Sequence, residues 1–496
     1  MSAAPHAATG ISVKTPDAFF IGGKWEKPSG KNKLDVISPV TEQIVMKFPE
    51  AAPADVDKAV AAARKAFDSG PWPRMSAQER GKALLKVAEL LKARLPELAT
   101  TWTTQMGAPI SLTRYLSAQP SQLFEYYGKL IQSYPLVDER TGGHGERVRV
   151  VKEPVGVVAA ITPWNAPLVL LCYKVAAGLA AGCTIVAKPA PETPADAYIL
   201  AECIEAAGLP PGVFNLVPAG RETGDYLIRH AGIDKISFTG STAAGKHIAA
   251  VAADRLARTS FELGGKSAAL VMEDADISKV LPSLVPFSMP ITGQVCFSLT
   301  RVLVPEKRKQ EVLDAYVGAI KTVKVGDPMD AATQMGPLAM QRQLTRVQGY
   351  IAKGKEEGAK LALGGGRPKG FDRGWYVEPT VFTDVQQSMT IAREEIFGPV
   401  VSFIAYKDVD DAIEKANATV YGLHGAVYTQ DPERGYAIAR RVRSGSVTVN
   451  GLVVDPTMPF GGFKQSGIGR EGGVEGLYPF LESKTMLFDA KPAHVK

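Results

Sequence analysis

Cys296 is the most reactive side chain that this sequence offers, and it lies in the stretch GQVCFSLTR, from Gly293 to Arg301. The stretch allows two interpretations. A free cysteine among small and apolar neighbours is commonly a buried hydrophobic side chain. It can instead be a nucleophile, if nearby groups take its proton and stabilise the product of its attack. The choice depends on which partner groups the rest of the chain supplies.

Two polar residues stand where apolar, strand-like runs end. Glu262, in FELGGK, is a carboxyl heading into apolar surroundings, which raise the pKa of such a group and suit it to general-base catalysis. It could instead pair with an arginine. Asn165, in ITPWNAP, has an amide that can donate to a developing oxyanion, although many loop asparagines only cap a turn. Together with the thiol, these groups favour covalent catalysis.

Two further motifs are typical of nucleotide binding. FTGSTAAG leads from a strand through Gly240 into a helix with Ser241 at its N-cap and Gly245 in its first turn. Backbone N–H groups at such a helix start attract phosphate. The motif is not G-x-G-x-x-G, so an ordinary capped helix is an equal alternative. Lys188, in AKPAPETP, ends another strand, where it could bind ribose hydroxyls or simply be exposed.

The elements that carry these residues alternate between strand and helix from Glu153 to Gly265. This alternation predicts an open, mostly parallel sheet covered by helices. The predicted strands are VGVVAAIT (155–162), CTIVAKP (183–189), the apolar core of LPPGVFNLVP, DKISFTG (234–240) and TSFELGG (259–265). The predicted helices cover 168–182, about 195–207, and a segment opening at Ser241.

A second α/β series follows from about Lys266 to Phe463, with strands such as AALVM, TRVLVP and PVVSFIAY. Two β-rich segments stand outside both series, GERVRVVKEP (145–154) and FLESKTMLFDA (480–490). Strands with free edges invite pairing, so these segments favour an oligomer. The stretch before FFIGGKW, residues 1–14, is expected to be a disordered lead.

Composition excludes several classes of protein. A chain of 496 residues with 45% hydrophobic and 22% charged residues suits a multidomain globular enzyme. It has no run long enough for a membrane span and no secretory signal pattern. Its charge of +6 is dispersed, so no nucleic-acid partner is expected. The 4 cysteines have no metal-ligand spacing, which favours reduced thiols in the cytoplasm and no metal site.

With these motifs the chain resembles the aldehyde dehydrogenase superfamily. Within it, the chain resembles the NAD(P)-dependent enzymes of the hydrolytic, non-acylating type. PWN, FTGS, ELGGKS, GQxC, EEIFGPV, YGL and PFGGxKxSGxGRE occur in family order, between FIGGKW and the LESKT tail. The resemblance implies an α/β fold with a Rossmann-like cofactor domain, a second α/β catalytic domain and a small β oligomerisation arm. The expected boundaries are 1–130 with 153–265, then 266–465, and 131–152 with 466–496.

The resemblance also assigns roles to individual residues. Cys296 becomes the nucleophile, Glu262 the base, Asn165 the oxyanion donor, and Lys174 with Glu471 a proton relay. The implied cofactor-binding residues are Trp164, Lys188, Gly240, Ser241, Gly245, Leu263, Gln343, Glu395 and Phe397. The implied wall of the aldehyde tunnel consists of Ala166, Tyr173, Met289, Phe297 and Phe460.

Two positions depart from the family pattern. Pro191 stands where the family often has a ribose-binding glutamate, so NADP becomes plausible besides NAD, although Glu192 can partly substitute. Ile291 stands where asparagine is common, which is expected to change loop hydrogen bonding and to leave the nucleophile in place.

The implied reaction is oxidation of an aldehyde to the acid through a Cys296 thioester that water hydrolyses. The apolar tunnel residues favour a hydrophobic or aromatic aldehyde. The partners expected are this small-molecule aldehyde and other copies of the chain, in a homodimer or homotetramer. The alternatives are a coenzyme A-acylating enzyme, a cofactor-free thiol hydrolase and a catalytically silent protein of the same fold.

Overall fold

The computed structural model describes residues 10–451 and 455–488, whose strands form two large sheets and two small ones. Of the expected lead at 1–14, residues 1–9 lie outside the described residues. So do the last two positions of the strand expected at 480–490. No helix within the described residues combines the length and apolar character needed to cross a membrane.

The first large sheet has eight strands and a parallel centre. In spatial order its strands are Gly467–Ile468, Arg258–Glu262, Lys235–Thr239, Val157–Ile161, Thr184–Lys188, Phe214–Leu216, Phe19–Ile21 and Lys24–Glu26. Every residue of Val157–Ile161 and Thr184–Lys188 is buried. Strands of a parallel sheet covered on both faces are buried in this way. The expected Rossmann-like architecture is confirmed.

Helices between these strands follow the sequence-based prediction closely. They span Pro167–Ala181, Ala195–Ala207, Arg221–Arg229 and Thr242–Ala253. The first begins with a proline at N1 and ends at Gly182, whose φ of 100° is the left-handed conformation that glycine adopts readily. Its residues are almost all buried, which explains why its sequence is apolar on every side.

The second large sheet has seven strands, all parallel except one edge strand. In spatial order they are Lys360–Leu363, Thr380–Thr383, Val400–Tyr406, Arg301–Pro305, Ala268–Val271, His424–Tyr428 and Ser446–Val449. Its helices are Ile277–Ser288, Pro290–Gly293, Lys309–Ile320, Gln341–Glu356, Thr390–Arg393, Val409–Asn417 and Pro432–Ala439. The expected second α/β domain is therefore present.

The N-terminal part adds helices and a hairpin. The helices are Pro53–Asp68, Ala77–Lys92, Leu95–Met106, Ile110–Leu116 and Gln119–Ser133. The hairpin consists of Lys33–Ile37 and Ile44–Pro49. Short 3₁₀ turns occur at Trp72–Arg74, Glu306–Arg308, Lys464–Ser466 and Tyr478–Phe480.

The two β-rich segments outside the main series pair with each other. Leu481–Phe488 runs antiparallel to Arg147–Pro154, which in turn pairs with Val137–Thr141. The three strands form the small arm that the sequence suggested. The arm strand begins at Leu481, whereas the boundary drawn from the sequence is 466. The difference arises because Gly467–Ile468 joins the eight-stranded sheet.

The parallel strands bring the predicted site residues to one sheet edge. Lys188 and Glu262 are the last residues of their strands, and the Asn165 loop follows Val157–Ile161. Carboxyl ends of parallel strands meet at the same edge, where open α/β sheets bind ligands. From Glu262 the chain passes through Gly264 and Gly265 to Ala268, which begins a strand of the second sheet.

Candidate active site

Cys296 is half-buried in a tightly fixed loop. Ile291 and Thr292 both have left-handed backbone, at φ of 48° and 58°, an uncommon conformation for β-branched residues. Gln294 closes the loop, because its Nε2 donates to the Ile291 carbonyl at 3.0 Å and its Oε1 accepts from the Ala339 amide at 3.0 Å. The Ile291 side chain is buried and apolar, and the hydrogen bonds at this position go to its backbone carbonyl, which accepts from the Gln294 amide at 3.1 Å as well as from Gln294 Nε2.

Gly265 brings the Glu262 segment against the cysteine loop. A Cβ at position 265 would lie 2.3 Å from the Cys296 carbonyl oxygen, so no side chain fits there. The Glu262 side chain is buried, and its Oε2 has no hydrogen-bond partner among the described residues. A carboxyl with a free oxygen beside a thiol is suited to accept a proton.

The electrostatics disfavour the charged forms of both groups, the thiolate of Cys296 and the carboxylate of Glu262. Burial raises the pKa of the Cys296 thiol, and the carboxyl groups of Glu395 and Glu262 raise it further. Backbone N–H groups of Cys296 and Phe297 partly oppose this rise. Burial, followed by the charge of Glu471, raises the pKa of Glu262 well above its usual value. The thiolate must therefore be produced by proton transfer.

Asn165 is held from two sides. Its Nδ2 donates to the Gln294 carbonyl at 2.9 Å, and its own backbone carbonyl accepts from Trp102 Nε1 at 3.0 Å. A primary amide carries two N–H hydrogens. One hydrogen therefore anchors the side chain beside the cysteine loop, and the other is available to an oxyanion.

Lys174 and Glu471 form a buried ion pair behind the base. Lys174 Nζ also donates to Thr239 Oγ1 at 2.6 Å. Thr239 is paired in register with Glu262 on the neighbouring strand. The structure therefore brings the two expected relay residues next to the expected base, and the Lys174 charge opposes the rise in the pKa of Glu262.

The FTGS turn leads into a capped helix, the form expected of a phosphate-binding helix start and equally of an ordinary capped helix. Ser241 caps Thr242–Ala253, with its Oγ accepting from the Ala244 amide at 3.2 Å. A Cβ at Gly245 would lie 2.6 Å from Leu263, which is itself buried, so this glycine lets the helix pack closely on the sheet. The Gly240 amide donates to the Glu262 carbonyl and joins the turn to the base.

Lys188 has spare hydrogen-bonding capacity. Its buried ammonium makes one long hydrogen bond, at 3.4 Å to the Pro189 carbonyl, and burial lowers its pKa to about 8. Such a donor fits ribose hydroxyls. Glu192, the suggested substitute for the missing glutamate, forms an ion pair with Arg342 at 2.5 Å.

The EEIFGPV segment lies against the ELGGKS segment. Glu395 Oε1 accepts from the Gly265 amide at 3.0 Å, and burial raises the pKa of Glu395 to about 7. Phe397 has a φ of 62° and meets Trp164 edge-on, with ring centroids 5.4 Å apart. Gln343 Nε2 donates to the Phe397 carbonyl at 2.6 Å, so this side chain supports the loop.

The expected tunnel residues occupy different environments. Phe297 and Phe460 are half-buried and meet edge-on at 6.2 Å, while Tyr173 is buried near Gly472. Ala166 precedes the helix Pro167–Ala181. Met289 is buried in the apolar core around the seven-stranded sheet, so its contact with substrate stays a prediction.

Three residues that contact the site residues were not predicted from the sequence. Thr239 lies inside FTGS, so the motif contained it although its bond to Lys174 was not foreseen. His424 packs edge-on against Phe297 at 6.4 Å and lies directly after YGL. No sequence motif indicated Trp102, because it lies 63 positions from Asn165 in the chain.

Comparisons with known proteins identify the family of this chain. The aldehyde dehydrogenase family model matches residues 25–486. Geranial dehydrogenase of Castellaniella defragrans is 44% identical, over 94% of this chain and 98% of its own length. The 3-succinoylsemialdehyde-pyridine dehydrogenase of a Pseudomonas species is 42% identical, over 95% and 98%.

Solved structures give the same result. An aldehyde dehydrogenase of Mycobacterium tuberculosis complexed with NAD+ superposes with a TM-score of 0.94 at 45% identity, covering 95% of this chain and 98% of its own. A cysteine-to-alanine variant of aldehyde dehydrogenase C of Pseudomonas syringae, complexed with NAD+ and octanal, has a TM-score of 0.93 at 41% identity, covering 97% and 99%. The chain belongs to the aldehyde dehydrogenase family.

Proposed function

We propose that this aldehyde dehydrogenase oxidises a hydrophobic or aromatic aldehyde to its carboxylic acid with NAD+, through a thioester on Cys296. The observation that carries the proposal is a half-buried thiol on which the charge of the buried Glu262 carboxyl acts, one oxygen of that carboxyl having no partner among the described residues. Covalent catalysis divides the reaction into an oxidation and a hydrolysis, each with a lower barrier than a single-step reaction would have.

The cofactor residues fit a nicotinamide dinucleotide. Lys188 would bind the adenosine ribose, and the start of the helix Thr242–Ala253 would bind the pyrophosphate. Glu395 would accept from the nicotinamide ribose, with Phe397 and Trp164 beside the ring. When bound, the nicotinamide accepts the hydride that leaves the aldehyde carbon. The Mycobacterium tuberculosis and Pseudomonas syringae relatives were both solved with NAD+, which supports this choice.

The chain's own groups carry the protons and stabilise the charges. In its ionised form, which the charge of Lys174 favours, Glu262 takes the proton of Cys296, and the sulfur then forms a bond to the aldehyde carbon. The free amide hydrogen of Asn165 and the backbone N–H of Cys296 stabilise the carbonyl oxygen as it becomes negative. After oxidation, Glu262 has passed its first proton to the Lys174–Glu471 pair and takes a proton from the water that attacks the thioester carbon. The carbon–sulfur bond then breaks, the acid is released, and the sulfur remains on Cys296 as the thiolate.

The Lys174–Glu471 pair gives the proton on Glu262 a route out of the buried site. Water is the acyl acceptor in this proposal because a buried base with a free oxygen lies beside the thioester position. An acylating enzyme would instead transfer the acyl group to coenzyme A. Adding coenzyme A to the assay separates the two, because only an acylating enzyme would form an acyl-coenzyme A product.

The residues of the tunnel wall favour a hydrophobic or aromatic aldehyde as substrate. The rings of Phe297 and Phe460 give it apolar surface, and hydrophobic burial favours apolar aldehydes. Two relatives act on or bind apolar aldehydes by name, geranial dehydrogenase and the octanal complex. The relative named for a pyridine substrate adds an aromatic example.

NADP is proposed as a second, weaker cofactor. Pro191 brings no negative charge to the adenosine ribose. Arg342, which forms an ion pair with Glu192, has a guanidinium that could also bind a 2′-phosphate. Introducing the family's glutamate through Pro191→Glu should lower kcat/KM for NADP by about tenfold, the equivalent of ~1.4 kcal/mol of charge repulsion. Steady-state kinetics with both cofactors measures this, and an equal fall with NAD would contradict it.

We also propose a homodimer or homotetramer in the cytoplasm. The arm sheet has two edge strands, Val137–Thr141, in which every residue is exposed, and Leu481–Phe488. Such an edge can pair with a strand of another copy. All 4 cysteines are free, which suits a reducing compartment.

The direct test is an assay of reduced nicotinamide formation over a panel of short aliphatic, long aliphatic, terpenoid and aromatic aldehydes. We expect turnover with NAD+, with kcat/KM rising with apolar size, and no activity in Cys296→Ala. A preference for small polar aldehydes would contradict the substrate class. Nucleotide binding without turnover of any aldehyde would contradict the oxidation itself.

A further inference from the structure

A small cavity lies behind the catalytic loops, between the second sheet and the YGL segment. Its walls contain two cationic side chains, Lys266 and Arg301, together with His424 and the neighbouring residues Tyr421 and Ser444. Its volume of about 10 Å³ is room for one particle of roughly the size of a water molecule. No carboxylate belongs to the lining.

Two of the lining residues have a buried nitrogen without a partner in the described part of the chain. They are Lys266 Nζ and His424 Nε2. His424 Nδ1 is hydrogen-bonded to the Ser446 hydroxyl at 2.8 Å. When that hydroxyl donates to Nδ1, the neutral imidazole carries its hydrogen on Nε2. Both orphan atoms are then hydrogen-bond donors, and burial keeps His424 neutral by lowering its pKa to about 4.

Arg301 adds positive charge without a counterion. Its guanidinium is buried and donates to the backbone carbonyls of Lys266, Lys415 and Ala416, each at 2.8 Å. Within residues 10–451 and 455–488, neither Arg301 nor Lys266 forms an ion pair with a carboxylate. Burial followed by the charge of Arg301 lowers the pKa of Lys266 to about 7, and Glu395 and Glu394 oppose this from the active-site side.

We propose that this cavity binds a single small monovalent anion, a halide such as chloride, between Lys266 and His424 and beside Arg301. A buried cation is costly without a compensating charge, and a donor-lined cavity without carboxylates cannot bind a metal cation. The volume is that of a site for a single small particle, so a monatomic ion suits it better than a polyatomic one such as sulfate. This site is separate from the proposed catalytic groups.

The position of the cavity gives the anion a structural role. Lys266 directly follows Gly265, which packs on the Cys296 carbonyl, and Arg301 begins the strand that follows the Cys296 loop. An anion shared by these two side chains joins the segment that carries Glu262 to the segment that carries Cys296. Its binding should therefore stabilise the folded protein by mass action.

Thermal unfolding at constant ionic strength tests the proposal on the full chain. Replacing sodium gluconate by sodium chloride or bromide should raise the unfolding temperature and saturate, while sulfate should not. Lys266→Met and His424→Phe should each abolish the halide-specific rise. Lys279→Met, a change of the same type at a side chain that is 79% exposed, should retain it.

A crystal of the unsubstituted protein soaked in bromide provides the second measurement, which does not depend on whether Lys266→Met folds. An anomalous peak within hydrogen-bond distance of Lys266 Nζ and His424 Nε2 would support the proposal. Density in the cavity without anomalous signal would identify a water molecule and overturn it. A halide-specific rise that survives in Lys266→Met or His424→Phe would also overturn it.

Discussion

At the scale of single residues, the chemistry of Cys296 is controlled by its neighbours. Burial raises the pKa of the thiol, and the carboxyl groups of Glu395 and Glu262 add to this rise. A resting thiol protects the nucleophile from oxidation and adventitious alkylation, because the thiolate is the reactive form. Catalysis then requires a base close by, and the Glu262 carboxyl is the group with a free oxygen in that place.

Glu395 should affect the reactivity of Cys296 from a distance. Above about pH 7 its carboxyl is ionised and opposes the thiolate. Glu395→Gln removes that charge, so the pKa of Cys296 should fall and the pH profile of alkylation by iodoacetamide should move to lower pH. The rate is measured without cofactor, with Cys296→Ser as the blank, because the other cysteines are buried.

Glu394→Gln is the matched control for this prediction. It removes an adjacent, exposed carboxylate that accepts from the Tyr350 hydroxyl and does not act on Cys296. Its alkylation profile should coincide with that of the unsubstituted protein. A profile for Glu395→Gln that stays in place or moves to higher pH would refute the electrostatic explanation.

At the scale of elements, a helix distant in the chain holds Asn165, the proposed oxyanion donor. Trp102 lies in the helix Leu95–Met106, and its Nε1 donates to the Asn165 carbonyl at 3.0 Å. Trp102→Phe keeps an aromatic ring in the core and removes that one donor. Losing a hydrogen bond of ~1 kcal/mol that positions Asn165 should lower kcat by about five- to tenfold.

Measuring kcat and KM for NAD separately distinguishes a loss of Asn165 positioning from a general destabilisation of the protein. We expect Trp102→Phe to lower kcat while KM for NAD stays unchanged, because Asn165 acts on the oxyanion. Trp25→Phe, which removes the exposed hydrogen bond from Trp25 Nε1 to Glu205, serves as control and should leave kcat unchanged. A rise in KM for NAD with kcat intact would contradict the positioning role.

Individual helices and strands could be predicted from the sequence, whereas contacts between distant elements could not. Ala195–Ala207 and the strand Thr184–Lys188 were anticipated within a residue or two, because glycine and proline mark their ends and apolar runs mark their interiors. The Trp102–Asn165 bond was not, because a local pattern carries no information about contacts 63 positions apart. Likewise, the two β-rich segments were recognised singly, and only the structure revealed that they pair with each other.

Within the site, the motifs predicted the proposed reacting groups and did not predict the residues that hold them in place. Glu262 and Cys296 stand in short stretches with a chemical reason for each residue. The ion pair of Glu192 with Arg342 joins residues 150 positions apart by sequence number, and no local pattern indicates it. The cation-lined cavity at Lys266 and His424 is likewise a product of the tertiary fold.

At the scale of the whole molecule, the arm sheet is the proposed subunit contact. Leu487 lies on its outer strand and is 65% exposed, so the monomer leaves an apolar side chain in water. Leu487→Glu should weaken association and lower the mass measured by light scattering. Leu256→Glu changes an exposed leucine outside the arm and should leave the mass unchanged. An unchanged mass in Leu487→Glu would contradict the arm as interface.

The central claim is that Cys296 forms a thioester that Glu262 helps water to hydrolyse. The most direct measurement is a rapid-mixing trace of reduced nicotinamide formed by Glu262→Gln, with Glu89→Gln as an exposed-carboxylate control. We expect product equal to the active sites in a first turnover, itself slowed because Glu262 also takes the thiol proton, followed by steady turnover reduced by about 10²- to 10⁴-fold. Steady turnover equal to that of the unsubstituted protein would contradict it.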